Sequence, residues 1–133
     1  MIVVDTNIIA YLYLNSEKSI QAEQLLILEP KWIAPSLWKS EFRNVLTLYL
    51  RKNILSFDEV VMIIQQAESL MFENEYEVSS IQILQLINSS DCSAYDCEFV
   101  ALAKLSNIPL ITADKKIIKA FPEIAQTIDE FVA

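Results

Sequence analysis

Four acidic side chains stand where a strand end or an apolar helix face belongs: Asp5, Glu41, Asp96 and Asp114. The chain has no histidine and no glycine, which removes the imidazole as a base or ligand and every glycine-rich phosphate loop. Chemistry in this protein therefore falls to carboxylates. Asp5 ends the β-branched run Ile2-Val3-Val4, and Asp114 follows Leu110-Ile111-Thr112-Ala113. Taken singly, an acid between a strand and a helix is most often a helix cap. Glu41 is harder to explain that way. At about 100° per residue, Trp38, Phe42, Val45, Leu46, Leu48 and Tyr49 form one apolar arc with Glu41 inside it. A carboxylate on such a face is costly unless it is paired or holds a metal ion. Asp96 shares a helical stripe with Phe99, Val100 and Ala103, although Ser93 and Asp96 also have the spacing of a capping box with a shortened acid.

Two like charges about 5 Å apart repel by about 3 kcal/mol at an effective dielectric of about 20. Several such pairs in one pocket are tolerable when some acids stay protonated or a cation lies among them. An all-oxygen donor set points to Mg²⁺ or Mn²⁺. Such an ion can activate a water and offset charge on a phosphoryl oxygen, so the chemistry expected is metal-assisted hydrolysis.

The elements that must position these acids alternate short β-branched runs with longer helical stretches. Strands are expected at Ile2–Val4, Trp32–Ala34, Tyr76–Val78 and Pro109–Thr112, with an edge strand near Ala125–Ile128. Helices are expected over Thr6–Leu14, Glu17–Leu28 (capped by Asn15 or Ser16), Pro35 to about Asn53, a stretch opened by Ser56, Ser80–Asn88, Ser93–Ser106 and Lys115–Ala120. This pattern predicts one α/β domain over residues 1–133, a central parallel sheet of four to five strands flanked by helices. Without glycine, left-handed caps should fall to Asn53, Asn74 and Asn107.

The composition agrees with a folded domain: apolar residues make up 53%. The longest uncharged stretch, Val78–Ser90, is too short to span a bilayer. With no basic leader before Asp5, a cytoplasmic protein is expected. Cys92 and Cys97 are expected to be buried thiols. The net charge of −8 argues against a non-specific nucleic-acid coat.

The blocks Val3-Val4-Asp5-Thr6-Asn7, Glu41, Ser93-Ala94-Tyr95-Asp96 and Leu110-Ile111-Thr112-Ala113-Asp114, with Ala101-Leu102-Ala103 between the last two, resemble the PIN-domain family. In length and organisation the chain is most similar to VapC-type toxins of bacterial toxin–antitoxin pairs. The resemblance implies a PIN fold with an acidic pocket at the strands' carboxyl ends. It also implies Mg²⁺- or Mn²⁺-dependent endoribonuclease activity, a homodimer and a cognate antitoxin partner. By position, Asp5, Glu41, Asp96 and Asp114 are the catalytic and metal-binding quartet, supported by Thr6, Asn7, Ser93 and Thr112. Cys97 stands where alanine is commoner. Asp91 adds an acid before the third block, read as a loop acid rather than a ligand for a second metal. Lys115, Lys116 and Lys119 are the expected RNA-binding residues, while Lys39, Arg43, Arg51 and Lys52 read as a solvated helix face.

Two other readings compete. A receiver-like signalling domain wants adjacent acids after the first strand, where this chain has Thr6 and Asn7. A catalytically silent PIN-like binding module would be marked by loss of a quartet acid, and none is lost.

Overall fold

The computed structural model describes residues 1–133 as five short strands and eight helices. The strands are β1 (Ile2–Val4), β2 (Trp32–Pro35), β3 (Glu75–Tyr76), β4 (Leu110–Ile111) and β5 (Ala125–Gln126). The helices are α1 (Thr6–Tyr13), α2 (Ser19–Leu28), α3 (Leu37–Arg51), α4 (Phe57–Met71), α5 (Ser80–Asn88), α6 (Ala94–Ser106), α7 (Lys115–Ala120) and α8 (Ile128–Val132). The strands form one parallel sheet in the order β3-β2-β1-β4-β5, with Val3 opposite Ile33 on one side and Leu110 on the other.

Every residue of β1, β2 and β4 is buried. That is why these strands read as unbroken apolar runs rather than as alternating ones: a parallel sheet is covered on both faces. From β1 the chain winds outward through β2 and β3, then returns past β1 to reach β4 and β5. Right-handed crossovers that change direction in this way put α1–α4 on one face and α5–α7 on the other. Accordingly, α6 packs across β1, β2 and β4, while α3 and α4 pack on β2. Helix α6 is buried over most of its circumference, from Cys97 through Phe99–Ala103, because α5 covers the side turned away from the sheet. Trp32, Trp38, Phe42 and Phe99 are the largest fully buried side chains.

Several expected boundaries move. Pro35 closes β2 instead of opening α3; a proline donates no ladder hydrogen bond, so it is acceptable at a strand end. Neither Asn15 nor Ser16 is the N-cap of α2. The cap position is Lys18, whose N–H donates to Ser16 Oγ. Strand β3 begins one residue earlier than expected and ends at Tyr76. The edge strand stops at Gln126, and α8, opened by a capping box of Thr127 and Glu130, takes Ile128 from that expected strand together with residues 129–132, which had no assignment. Left-handed backbone occurs at Asn53 and Asn107 but at Glu73 instead of Asn74. Cys92 and Cys97 are free and buried, and no helix is long and apolar enough to cross a membrane.

Candidate active site

The order of the sheet decides where the site lies. Strands β1 and β4 are neighbours whose crossovers leave in opposite directions, so a crevice opens between their carboxyl ends. Asp5 stands on its floor with Thr112 buried behind it: Asp5 N–H donates to Ile111 O at 3.0 Å, continuing the β1–β4 ladder. Asp5 is also the N-cap of α1. Its Oδ1 accepts from Thr6 N–H at 2.7 Å, and its Oδ2 accepts from the Thr112 hydroxyl at 2.7 Å. Thr112 is fully buried, and its oxygen in turn accepts from Asp114 N–H at 3.0 Å. One hydroxyl thus ties the acid after β1 to the acid after β4. Asp114 caps α7 by accepting from Lys116 N–H and Ile117 N–H through Oδ1.

Glu41 enters from α3. Its half-buried carboxylate accepts from the Thr6 hydroxyl through Oε1 at 2.7 Å. No cation pairs with it. The ion pairs of the molecule join the N-terminus to Glu29 and Lys39 to Glu68 and Glu75. Leu48, placed by periodicity beside Glu41 in the apolar arc, is 53% exposed, so that edge of the arc faces outward. Asp96 comes from the first turn of α6. Its N–H donates to Ser93 Oγ at 3.0 Å, but its carboxylate accepts no hydrogen bond, so the capping box is only half made.

These side chains line one cleft of about 250 Å³: the four acids with Thr6, Asn7, Asn44 and Val45. Its electrostatics are those of a crowd of like charges. Burial pushes the Asp5 carboxyl up from its ordinary value. Hydrogen bonds from Thr112 and Thr6 oppose the rise, and the charges of Asp96 and Asp114 add to it. Glu41 is raised for the same leading reason, desolvation, opposed by the Thr6 hydroxyl and increased by Asp5, Asp96 and Glu98.

The donor set suits a hard divalent cation, being entirely oxygen. Glu41 Oε2, Asp114 Oδ2 and both oxygens of Asp96 accept no hydrogen bond from the protein. An ionised carboxylate has spare lone pairs even where one oxygen is engaged. As the side chains stand, no group of three or more acids is drawn together closely enough to hold an ion. The chemistry and the uncompensated charge therefore fit a metal, and ligation requires the carboxylates to close inward.

The remaining residues singled out in the sequence fall around this cleft. Asn7 lines it, Thr112 lies behind it, and Ser93 caps the helix that carries Asp96. The three lysines separate: Lys115 lines a cavity between α1, α2 and α8, whereas Lys116 and Lys119 line a groove with Ser89, Ser90, Asp91 and Cys92. Asp91 is thus outside the acidic cleft. Asn44 was missed, though its place one turn after Glu41 on the same helix face was a usable signal. Glu98, whose charge reaches Glu41, carried no such signal.

Known proteins share this fold. The PIN domain family model matches residues 2–123. Ribonuclease VapC3 of Pyrobaculum aerophilum is 28% identical over 127 residues, spanning 92% of this chain and 96% of that protein. Among solved structures, FitAcB from Neisseria gonorrhoeae superposes with a TM-score of 0.74 at 18% identity, covering 96% of this chain and 98% of that one. PAE2754 from Pyrobaculum aerophilum superposes with a TM-score of 0.66 at 13% identity, covering 98% and 92%.

Proposed function

The chain belongs to the PIN-domain family, and from that premise we propose that it is a divalent-metal-dependent endoribonuclease, the toxin of a toxin–antitoxin pair. The observation that carries this reading is the cleft itself: four carboxylates at the switch point of a parallel sheet, with no cation of the protein's own to balance them. The likeness to a protein named ribonuclease VapC3 supports the choice of RNA as substrate.

In this reading Asp5, Glu41, Asp96 and Asp114 hold Mg²⁺ or Mn²⁺. Bound there, the ion supplies a water of lowered pKa and offsets charge on the phosphoryl oxygens. The protein's own groups do the rest. Thr112 and Thr6 fix the rotamers of Asp5 and Glu41 through short hydrogen bonds. Glu41 Oε2 has no protein partner and burial raises its proton affinity, so in this reading it is the group that would take the proton of the attacking water. Ser93 keeps Asp96 at the head of α6, and Asn7 lines the mouth. Lys115, Lys116 and Lys119 grip phosphates on either side of α7.

The partners that go with this function are an RNA substrate, a cognate antitoxin protein and a second copy of the chain, all in the cytoplasm. Family membership removes the receiver-like alternative. A catalytically silent PIN-like binding module is the second reading, favoured by the open spacing of the acids.

Incubation of antitoxin-free protein with RNA in Mg²⁺, Mn²⁺ or EDTA, beside Asp96→Asn, separates the two. Cleavage in metal that is lost in EDTA and in the variant is expected. Cleavage persisting in either control removes the metal mechanism, and absence of cleavage in all conditions favours the silent module.

A further inference from the structure

The free side-chain donors of the acidic cleft all stand on one of its walls. That wall is built by α1 and α3, which the 2.7 Å bond from the Thr6 hydroxyl to Glu41 ties together. Asn7 follows Thr6 on α1, and Asn44 comes one turn after Glu41 on α3; both line the cleft and both are exposed. The other wall comes from the opposite face of the sheet, with Asp96 at the head of α6 and Asp114 at the head of α7. Once a cation lies among them, the four acids are ionised and can only accept. Val45 does neither, and the Thr6 hydroxyl has already given its hydrogen to Glu41. The amides of Asn7 and Asn44 remain, and neither is engaged by another group of the protein. One divalent ion balances half of the four carboxylates, so a phosphodiester brought to it still meets negative charge. A lysine in place of Asn44 would pair with Glu41 one turn away and contend with the metal. A neutral amide donates without doing so.

We propose that Asn7 and Asn44 are substrate-binding residues whose amide N–H groups clamp the scissile phosphate through its non-bridging oxygen on the α1–α3 side. The other non-bridging oxygen is left to the cation. The clamp makes the two oxygens inequivalent, because only one wall of the cleft can donate to them. It also sets which way the phosphate turns before a water attacks it, a positioning that the acids cannot provide since they repel the group they must act on. This inference rests on the nuclease reading for the presence of a phosphodiester and on the inventory of donors for the way it is held.

The test compares antitoxin-free wild type with Asn7→Ala and Asn44→Ala. Both positions are exposed on helices, where alanine is the better helix former, so the variants fold. The substrate is a short RNA cut at a mapped bond, made with sulfur in place of either non-bridging oxygen of that phosphate. One thio substitution should slow the wild type in a way that a softer cation relieves, and the variants should keep that effect. The other should slow the wild type about tenfold or more without such relief, because sulfur accepts hydrogen bonds weakly. In Asn44→Ala the all-oxygen substrate should lose about 10- to 100-fold in kcat/KM, and this second thio effect should shrink to about twofold or less. RNA affinity in Ca²⁺, measured by anisotropy, should fall about three- to tenfold in each variant with an unchanged log–log salt slope, since a neutral amide releases no counterion. Wild-type rates in both variants, or both thio effects undiminished in Asn44→Ala, overturn the clamp and leave the nuclease standing. No cleavage by the wild type in any metal overturns the nuclease. Equal RNA affinity of wild type and variants would then overturn the clamp as well, and weaker affinity in both variants would sustain it.

Discussion

Thr112→Val removes one oxygen from a fully buried side chain and changes its shape almost not at all, so its effect isolates the hydroxyl. That hydroxyl makes two hydrogen bonds, donating to Asp5 Oδ2 at 2.7 Å and accepting from Asp114 N–H at 3.0 Å. A hydrogen bond to a charged group contributes about 1.5–3 kcal/mol, and an orphaned N–H costs about 1–3 kcal/mol when buried, less at this partly buried site. The sum expected near neutral pH is a loss of about 2–4 kcal/mol. The loss should also depend on pH. Burial already holds the Asp5 pKa above its ordinary value, and Thr112 opposes the rise. Without the hydroxyl the pKa climbs further, so the variant's deficit is largest where Asp5 is ionised in the wild type and shrinks as pH falls and Asp5 takes a proton. Urea unfolding of metal-free protein in steps from pH 8 down to the ordinary carboxylate range measures both quantities. A deficit below about 0.5 kcal/mol, or one that stays constant across that whole range, refutes the role given to this hydroxyl.

Other expectations follow from the same geometry. Asp5 and Glu41 have folded-state pKa values above their unfolded ones, so metal-free protein should lose stability as pH rises from the ordinary carboxylate range through those raised values. Thermal melts at stepped pH should show this, with Asp96→Asn shrinking the loss and equalling or exceeding the wild type near pH 7; destabilisation of Asp96→Asn by more than about 1 kcal/mol would favour a capping role. Ser93→Ala should cost about 1 kcal/mol in chemical denaturation, because it removes the cap of α6. Glu73→Gly should raise stability by about 0.5–1 kcal/mol, since Glu73 is exposed and holds φ at 64°, a conformation glycine adopts without penalty. A lower melting temperature for that variant would count against the assignment.

Much of the fold was legible because its strongest signals are local. The runs Ile2–Val4 and Leu110–Ile111 announce buried strands, and the side-chain cap at Ser93 marks the start of α6 without any tertiary information. Glu41 was legible for a different reason, as a charge on an apolar helix face, which only a pocket or a partner can accommodate. The errors came where two local rules compete. Pro35 satisfies both a helix's first turn and a strand's last residue, and pairing with β3 decides for the strand. Asn74 is the better left-handed residue, but the turn after α4 requires that conformation one position earlier. The separation of the lysines could be anticipated only in part. Consecutive residues on a helix point about 100° apart, so Lys115 parts from Lys116, while Lys116 and Lys119, one turn apart, share a groove. What each then faces depends on α1, α2 and α8 on one side and the α5–α6 loop on the other, which the spacing of the lysines does not contain.

The hydrogen bond between Thr112 and Asp5 joins residues 107 positions apart, and β1, the middle strand, lacks one neighbour until β4 is made. Contacts of such long sequence separation form late, and during synthesis they wait until the distant segment has left the ribosome. The first two strands can pair early, but the floor of the cleft is absent until nearly the last sixth of the chain emerges. A growing chain therefore carries Asp5, Glu41 and Asp96 without the strand that completes their cleft, so under the nuclease function proposed above it would not cut RNA while it is still being made beside one of the cell's largest RNA assemblies.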